Sequence, residues 1–219
     1  MRIDPASREA SETYKLLTGL VVPRPIGWIS SVGRDGTRNL APFSFFNAIC
    51  PDPPSVSVGI ANLPSGGDGD RRKDTCGNIS ETGHFVVNVV DESLARAMNE
   101  TATDFPSSGD EFEAAGLTPV PGEVVSAPRV SESPASFECE LSESVRIGEG
   151  AGGATLVIGT VRLMHVRDDL VNERNHIDIA ALSPVGRLAG SDYAYIRRMF
   201  SMPRPSYDHE KGEVKRPSG

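Results

Sequence analysis

The sequence predicts a mainly β chain: antiparallel strands that close wholly or in part into a barrel, with a few helices at the rim. Three observations carry this. Short runs alternate with period two, most cleanly Ser55–Ile60, where Val56, Val58 and Ile60 fall on one side and Ser55, Ser57 and Gly59 on the other. The 22 Gly and 17 Pro are scattered between such runs, as turn residues are, and do not cluster as in disordered segments. Alternating strand–helix units and a Gly-x-Gly-x-x-Gly run are both absent, which argues against a doubly wound nucleotide-binding sheet.

Taken in order, residues 7–20 read as an opening helix with Ser7 as cap and Tyr14, Leu17 and Val21 at helical spacing. Pro23 and Pro25 end it. A strand follows over Ile26–Val32, with Ile26, Trp28 and Val32 on one side. Asp35-Gly36 is a hairpin signal, so the chain returns antiparallel through Asn39–Phe43. After Ser55–Ile60 comes a glycine-bearing loop over Asn62–Asp70. A helix then starts at a cap on Asp74 or Thr75 and stops at Gly83. Phe85–Val90 is apolar on both faces and reads as a central strand, and residues 92–100 read as helical.

Residues 101–133, rich in Pro, Ser and Gly, read as a long surface excursion with one helical turn near Glu111-Phe112-Glu113. Two long strands follow. Phe137, Cys139 and Leu141 face away from Glu138 and Glu140 in the first, and a turn over Gly148–Gly153 leads into Ala154–Val166. Pro184–Leu188 is a short strand. Residues 1–202 read as one domain and residues 203–219 as an extended or mobile tail.

Composition narrows the function. The 219 residues carry 22 Lys+Arg against 30 Asp+Glu, a formal charge of −8. Such a chain repels a phosphate backbone, so nucleic acid is not expected as a partner. No apolar run approaches the ~20 residues of a membrane-spanning helix, and the first residues lack the apolar stretch of a secretory signal. Cys50, Cys76 and Cys139 are odd in number and far apart, against a disulfide framework or a zinc site. They read as buried thiols of a cytoplasmic protein. The four histidines have no metal-ligand spacing. His84 reads as a loop histidine and His165 as a hydrogen-bonded strand histidine. No Gly-x-Ser-x-Gly elbow and no Cys–His pair appear.

Two segments suggest binding. In Arg71-Arg72-Lys73-Asp74-Thr75, three cations precede a helix start, where free N–H groups, the helix dipole and a hydroxyl would together favour an anion. A solvated basic loop is the plain alternative. In Ala41-Pro42-Phe43-Ser44-Phe45-Phe46-Asn47, three phenylalanines sit where a strand breaks into a turn, an arrangement suited to a flat heteroaromatic ring; taken alone, the segment reads first as a hydrophobic barrel edge.

The ordered set Arg24-Pro25-Ile26-Gly27-Trp28-Ile29-Ser30-Ser31, Asn39–Phe46, Lys73-Asp74-Thr75 with Asn78-Ile79, Gly83–Asn88 and Pro184–Tyr193 resembles the flavin reductase-like family of FMN-binding split barrels. The likeness spans about residues 12–200. It implies an antiparallel FMN-binding split β-barrel and a homodimer with flavin, FMN or FAD, near the subunit interface. By this resemblance Ser30, Ser31, Asn39, Ala41, Pro42, Phe43, Ser44, Phe45 and Phe46 would line the ring and ribityl chain. Arg72, Lys73 and Thr75, with Ser44, would hold the phosphate. The cofactor would carry the chemistry, which accounts for the lack of a visible acid, base or nucleophile.

The resemblance implies hydride transfer from NADH or NADPH to flavin, with electrons passed on to an acceptor that includes the option of a protein. Some family members place Gly-Asp-His beside the nicotinamide, whereas this chain has Gly152-Gly153-Ala154. The alternative is therefore a flavoredoxin-like electron carrier without its own pyridine-nucleotide site. A third reading is a split barrel that has lost its flavin.

Overall fold

A computed structural model of the chain describes residues 1–62 and 73–216. Its main feature is a seven-stranded, wholly antiparallel sheet. In chain order the strands are β1 (Gly27–Val32), β2 (Arg38–Phe43), β3 (Phe46–Pro51), β4 (Pro54–Ala61), β5 (His84–Asn88), β6 (Ala135–Ile147) and β7 (Ala154–Val166). Their order across the sheet is β2-β1-β5-β6-β7-β4-β3. The helices are α1 (Ala10–Leu20), α2 (Asp74–Thr82), α3 (Ala95–Glu100), α4 (Glu111–Ala114) and α5 (Ile179–Leu182). A separate three-stranded sheet joins Arg24–Pro25, Val185–Arg187 and Tyr193–Tyr195.

The turn chemistry read from the sequence operates as expected. Gly36 has φ +86 in the β1–β2 hairpin, and Gly83 ends α2 with φ +75. The sheet curls until its edges approach. The Phe46 ring of β3 lies so close to Gly27 of β1 that a Cβ there would fall 2.8 Å from ring carbons. Glycine at position 27 is what allows this seam.

The barrel interior is filled by Ile29, Phe43, Val56, Val58, Ile60, Phe85, Val87, Cys139, Val157 and Val161, with Cys76 and Ile79 of α2 plugging one end. A second core lies on the other side of β1, where Trp28, Leu40, Leu94, Met98, Phe112, Leu117, Val130 and Val185 pack together. β1 is thus buried on both faces. The Trp28 indole N–H donates to Thr101 Oγ1 at 2.9 Å, which ties the second core to the end of α3.

Several expectations are corrected. The first helix begins at Ala10, not near residue 7: Ser7 closes a 3-10 turn and its hydroxyl donates to the Asp4 carbonyl instead of capping the helix. α2 is entered through Lys73, with no side-chain cap from Asp74 or Thr75. Residues 101–133 do not merely cross the surface, since Phe112, Leu117, Val125, Ala127 and Val130 are buried. Cys50 is exposed on the edge strand, while Cys76 and Cys139 are buried; all three are free thiols. The tail holds a hairpin pairing Ser206–Asp208 with Glu213–Lys215. The loop expected over Asn62–Asp70 lies outside the described residues from position 63 onward.

Glu138 keeps the side that alternation gives it but not the exposure expected of a carboxylate. It points away from the barrel interior, yet it is fully buried. Its carboxylate accepts N–H donors from Glu123, Val124 and Val125 at 2.7–3.1 Å and contacts His165 Nε2 at 2.7 Å. Burial pushes its pKa up, but the backbone donors of Glu123 and Val124, then His165 and Val125, outweigh this and hold it below the usual glutamate range. His165 is the hydrogen-bonded strand histidine expected, and His84 pairs through Nδ1 with Ser126.

Candidate functional site

The start of α2 meets the rim of the barrel at β2. Asn39 and Ser31 are register partners on neighbouring strands and face α2. Asn39 Nδ2 donates to Thr75 Oγ1 at 2.9 Å, and Asn78 Nδ2 donates to Ser31 Oγ at 3.1 Å. These two bonds fix the first and second turns of the helix against the sheet. Lys73, just before the helix, places its Nζ 5.8 Å from the centroid of the Phe43 ring. The nine-residue helix has no side-chain cap at its start, so its first N–H groups are directed at whatever lies beyond.

What lies beyond is a cavity of about 430 Å³. Asn39, Ala41, Pro42, Lys73 and Thr75 border it on the barrel side, and Thr101, Phe105, Ser107 and Glu111 close it from the other. An ammonium group, a hydroxyl and an uncapped helix start at one cavity form an anion-accepting corner. The residues therefore fit a phosphate-bearing group. Three carboxylates on the same cavity oppose that charge: Asp74 in the first turn of α2, Asp104 and Glu111. Burial raises the pKa of Glu111; hydrogen bonds from backbone N–H groups, including Leu40 N–H at 3.0 Å, offset part of that rise.

The expected site residues divide into three sets. Asn39, Ala41, Pro42, Lys73 and Thr75 meet at this cavity, with Phe43 beneath Lys73. Ser44, Phe45 and Phe46 instead border a second cavity of about 400 Å³, together with Leu17, Val21 and Arg24. Ser30 and Ser31 reach neither. Both are fully buried, with Ser30 donating to the Pro128 carbonyl and accepting from Asn88 Nδ2. Arg72 lies outside the described residues. The hairpin Gly152–Ala154 does not border the 430 Å³ cavity; Gly152 lies beside Ala10 at the start of α1.

Sequence reading missed Thr101, Phe105, Ser107 and Glu111. They come from the irregular 101–133 segment, where no motif marks them. It also missed what Arg24 does. This buried guanidinium donates to the carbonyls of Thr18 (2.6 Å), Val21 (2.8 Å) and Leu188 (2.9 Å) and to Ser44 Oγ (3.3 Å). It satisfies the free carbonyls at the end of α1 and locks that helix to the β2–β3 turn. Among the described residues, no cluster of His, Cys, Asp and Glu could hold a metal ion, and no helix is long and apolar enough to cross a membrane.

Fold and site define a flavin reductase-like split barrel, and comparison gives the same class: the model of the flavin reductase like domain matches residues 19–200. The chain belongs to that family. An uncharacterized protein of Halalkalibacterium halodurans is 40% identical over 214 residues, covering 96% of this chain and all of that protein. Among solved structures, nitrilotriacetate monooxygenase component B from Bacillus cereus is 38% identical, with TM-score 0.86 over 92% of this chain and 98% of that one. Pseudomonas fluorescens 2-nitrobenzoate 2-nitroreductase NbaA is 30% identical, with TM-score 0.83 over 94% and 98%. The family assigns a flavin-related oxidoreductase function.

Proposed function

We propose that this protein is a homodimeric, FMN-binding, NAD(P)H-dependent flavin reductase of the cytoplasm, with residues 1–202 as the functional domain and 203–219 as an appended tail. The observation that carries the reading is the convergence of Lys73, Thr75 and Asn39 on the uncapped start of α2 at a cavity. Lys73 supplies charge to the phosphate, Thr75 a hydroxyl, and the helix start backbone N–H groups. Asn39 orients Thr75. The stretch Ala41–Phe46 provides backbone edges and apolar surface for the ring system, and Ser30 and Ser31 brace the strand beneath it. Arg72 adds a further cation in this reading.

Bound flavin would supply hydride acceptance and onward electron transfer. The chain's own part is to bind, to orient and to exclude water. No described side chain at the cavity is asked to act as nucleophile. The likeness to a monooxygenase component B and to a nitroreductase supports a role in which electrons leave the flavin for a separate acceptor. FAD is the alternative cofactor.

One observation favours a second reading. The Gly152-Gly153-Ala154 hairpin offers no side-chain donor to orient a carboxamide, and it stands away from the cavity. A flavoredoxin-like carrier would need no such group. Anaerobic stopped-flow mixing of flavin-loaded protein with NADH and NADPH separates the two. Saturating reduction by either nucleotide supports the reductase. Flavin bleached by dithionite but by neither nucleotide supports the carrier.

A further inference from the structure

The C-terminal arm lies largely exposed on the chain. After Arg197, held by a 2.6 Å bond from its Nη2 to Glu92 Oε1 and stacked on Tyr195, residues 198–205 form no regular element. Met199, Phe200 and Met202 are 55%, 82% and 79% exposed. The hairpin that ends the arm pairs only with itself. An isolated two-stranded hairpin is marginal in water, so this one calls for a supporting surface.

The same chain offers such a surface. α1 buries only Thr18, while Tyr14, Leu17 and Leu20 stand exposed along it. Val21 and Phe45 extend the patch, the Tyr14 and Phe45 rings lying 6.3 Å apart. A helix with its apolar stripe in solvent is a face awaiting a partner. Charge adds direction. Residues 196–219 carry six Lys/Arg and three Asp/Glu, whereas residues 1–195 carry 16 and 27. A basic arm and an acidic body attract, and between copies of one chain that attraction is available twice.

We propose that residues 198–216 form a clasp that crosses to a second copy of this chain, seating Met199, Phe200 and Met202 on the exposed face of α1 and Phe45 of that copy. An arm of about 20 residues supplies the number that one side of a standard interface uses. The clasp rests on the dimer of the proposed function and meets its flavin reading at one residue, Phe45, which is why the variants of the test lie on the arm and on α1.

The test is sedimentation equilibrium of the full chain and of the double variant Phe200→Ser, Met202→Ser. The clasp predicts a parent dimer at micromolar concentration and a dissociation constant raised at least tenfold in the variant. The exposed pair Arg198→Glu, Arg204→Glu should shift it in the same direction without touching an apolar contact. In a Cys50→Ser background, mixing a Leu17→Cys chain with a Met202→Cys chain under mild oxidation should give a covalent dimer. A parent dimer with unchanged variants overturns the clasp and leaves the flavin reading intact, and a monomeric parent overturns both clasp and dimer. A crosslink formed within one chain carrying both cysteines, in place of the covalent dimer, overturns it. Arm-dependent sedimentation with phosphatidylglycerol vesicles, at unaltered oligomeric state, overturns it in favour of a membrane contact.

Discussion

Asn39 on β2 and Thr75 in the first turn of α2 are joined by a buried 2.9 Å hydrogen bond, so the barrel rim and the helix start move as one body. The bond sets the direction of the Thr75 hydroxyl. Asn39→Ala therefore leaves the hydroxyl in place but unoriented. FMN affinity should fall by about tenfold, the scale of one hydrogen bond to a charged group. In a double-mutant cycle with Thr75→Ala the two losses should be less than additive, measured by fluorescence titration of FMN.

Gly159 of β7 faces Phe85 of β5 across the barrel, and a Cβ at that position would lie well inside van der Waals contact with the ring. Phe85 is fully buried in the barrel interior. Gly159→Ala should cost about 1–3 kcal/mol, as overpacking does. Urea denaturation checks it, and adding Phe85→Leu should recover part of the loss.

Glu138 and Glu111 give opposite pH signatures. The folded-state pKa of Glu138 is lowered, so the stability it confers is present above the ordinary glutamate range and is lost as pH falls through its folded value. The pKa of Glu111 is raised, so its ionised form works against folding, and that penalty sets in as pH rises through the ordinary range to the folded value. Glu138→Ala leaves three backbone donors without their acceptor and should cost about 3–5 kcal/mol at neutral pH. Glu111→Gln should raise the melting temperature at neutral pH and have little effect in acid. Thermal unfolding across acid to neutral pH reads both.

Arg24 closes the end of α1, and its replacement frees the carbonyls of Thr18, Val21 and Leu188 together. Arg24→Lys keeps charge but not the planar fork that reaches several acceptors at once. It should destabilise by roughly 1–3 kcal/mol, the cost of leaving buried acceptors unpaired. Hydrogen exchange should show the loss concentrated in α1, with β5 and β6 protected as in the parent.

The parts of the fold that periodicity governs were readable in the chain. Val56, Val58 and Ile60 and the Asp35-Gly36 turn lie as alternation and turn chemistry require, and the two long strands pair as expected, with register shifts between Ile158 and Gly159 and between Val161 and Leu163. What escaped depends on contacts distant in sequence. Alternation puts Glu138 on the face opposite Phe137 and Cys139 but does not report what covers that face; the covering turn at 123–125 comes from the segment read as a surface excursion. That segment hides Phe112, Leu117 and Val130 among Pro, Ser and Gly at no regular spacing. Ser7 is a good cap by type, yet Pro5 and the bond to Asp4 hold it in an earlier 3-10 turn. At the candidate site, Lys73 and Thr75 stand out through charge and helix-start logic. Glu111 and Phe105 carry no local signal.

In the proposed function Lys73 and Thr75, at the start of α2, hold the flavin phosphate. The direct measurement is calorimetric titration of the parent and of Lys73→Ala with FMN and with riboflavin, which lacks the phosphate. A charge-assisted hydrogen bond of about 1.5–3 kcal/mol predicts that the substitution weakens FMN about tenfold or more and leaves riboflavin affinity unchanged. Equal FMN affinity in the two proteins, or an equal loss for FMN and riboflavin, would contradict it.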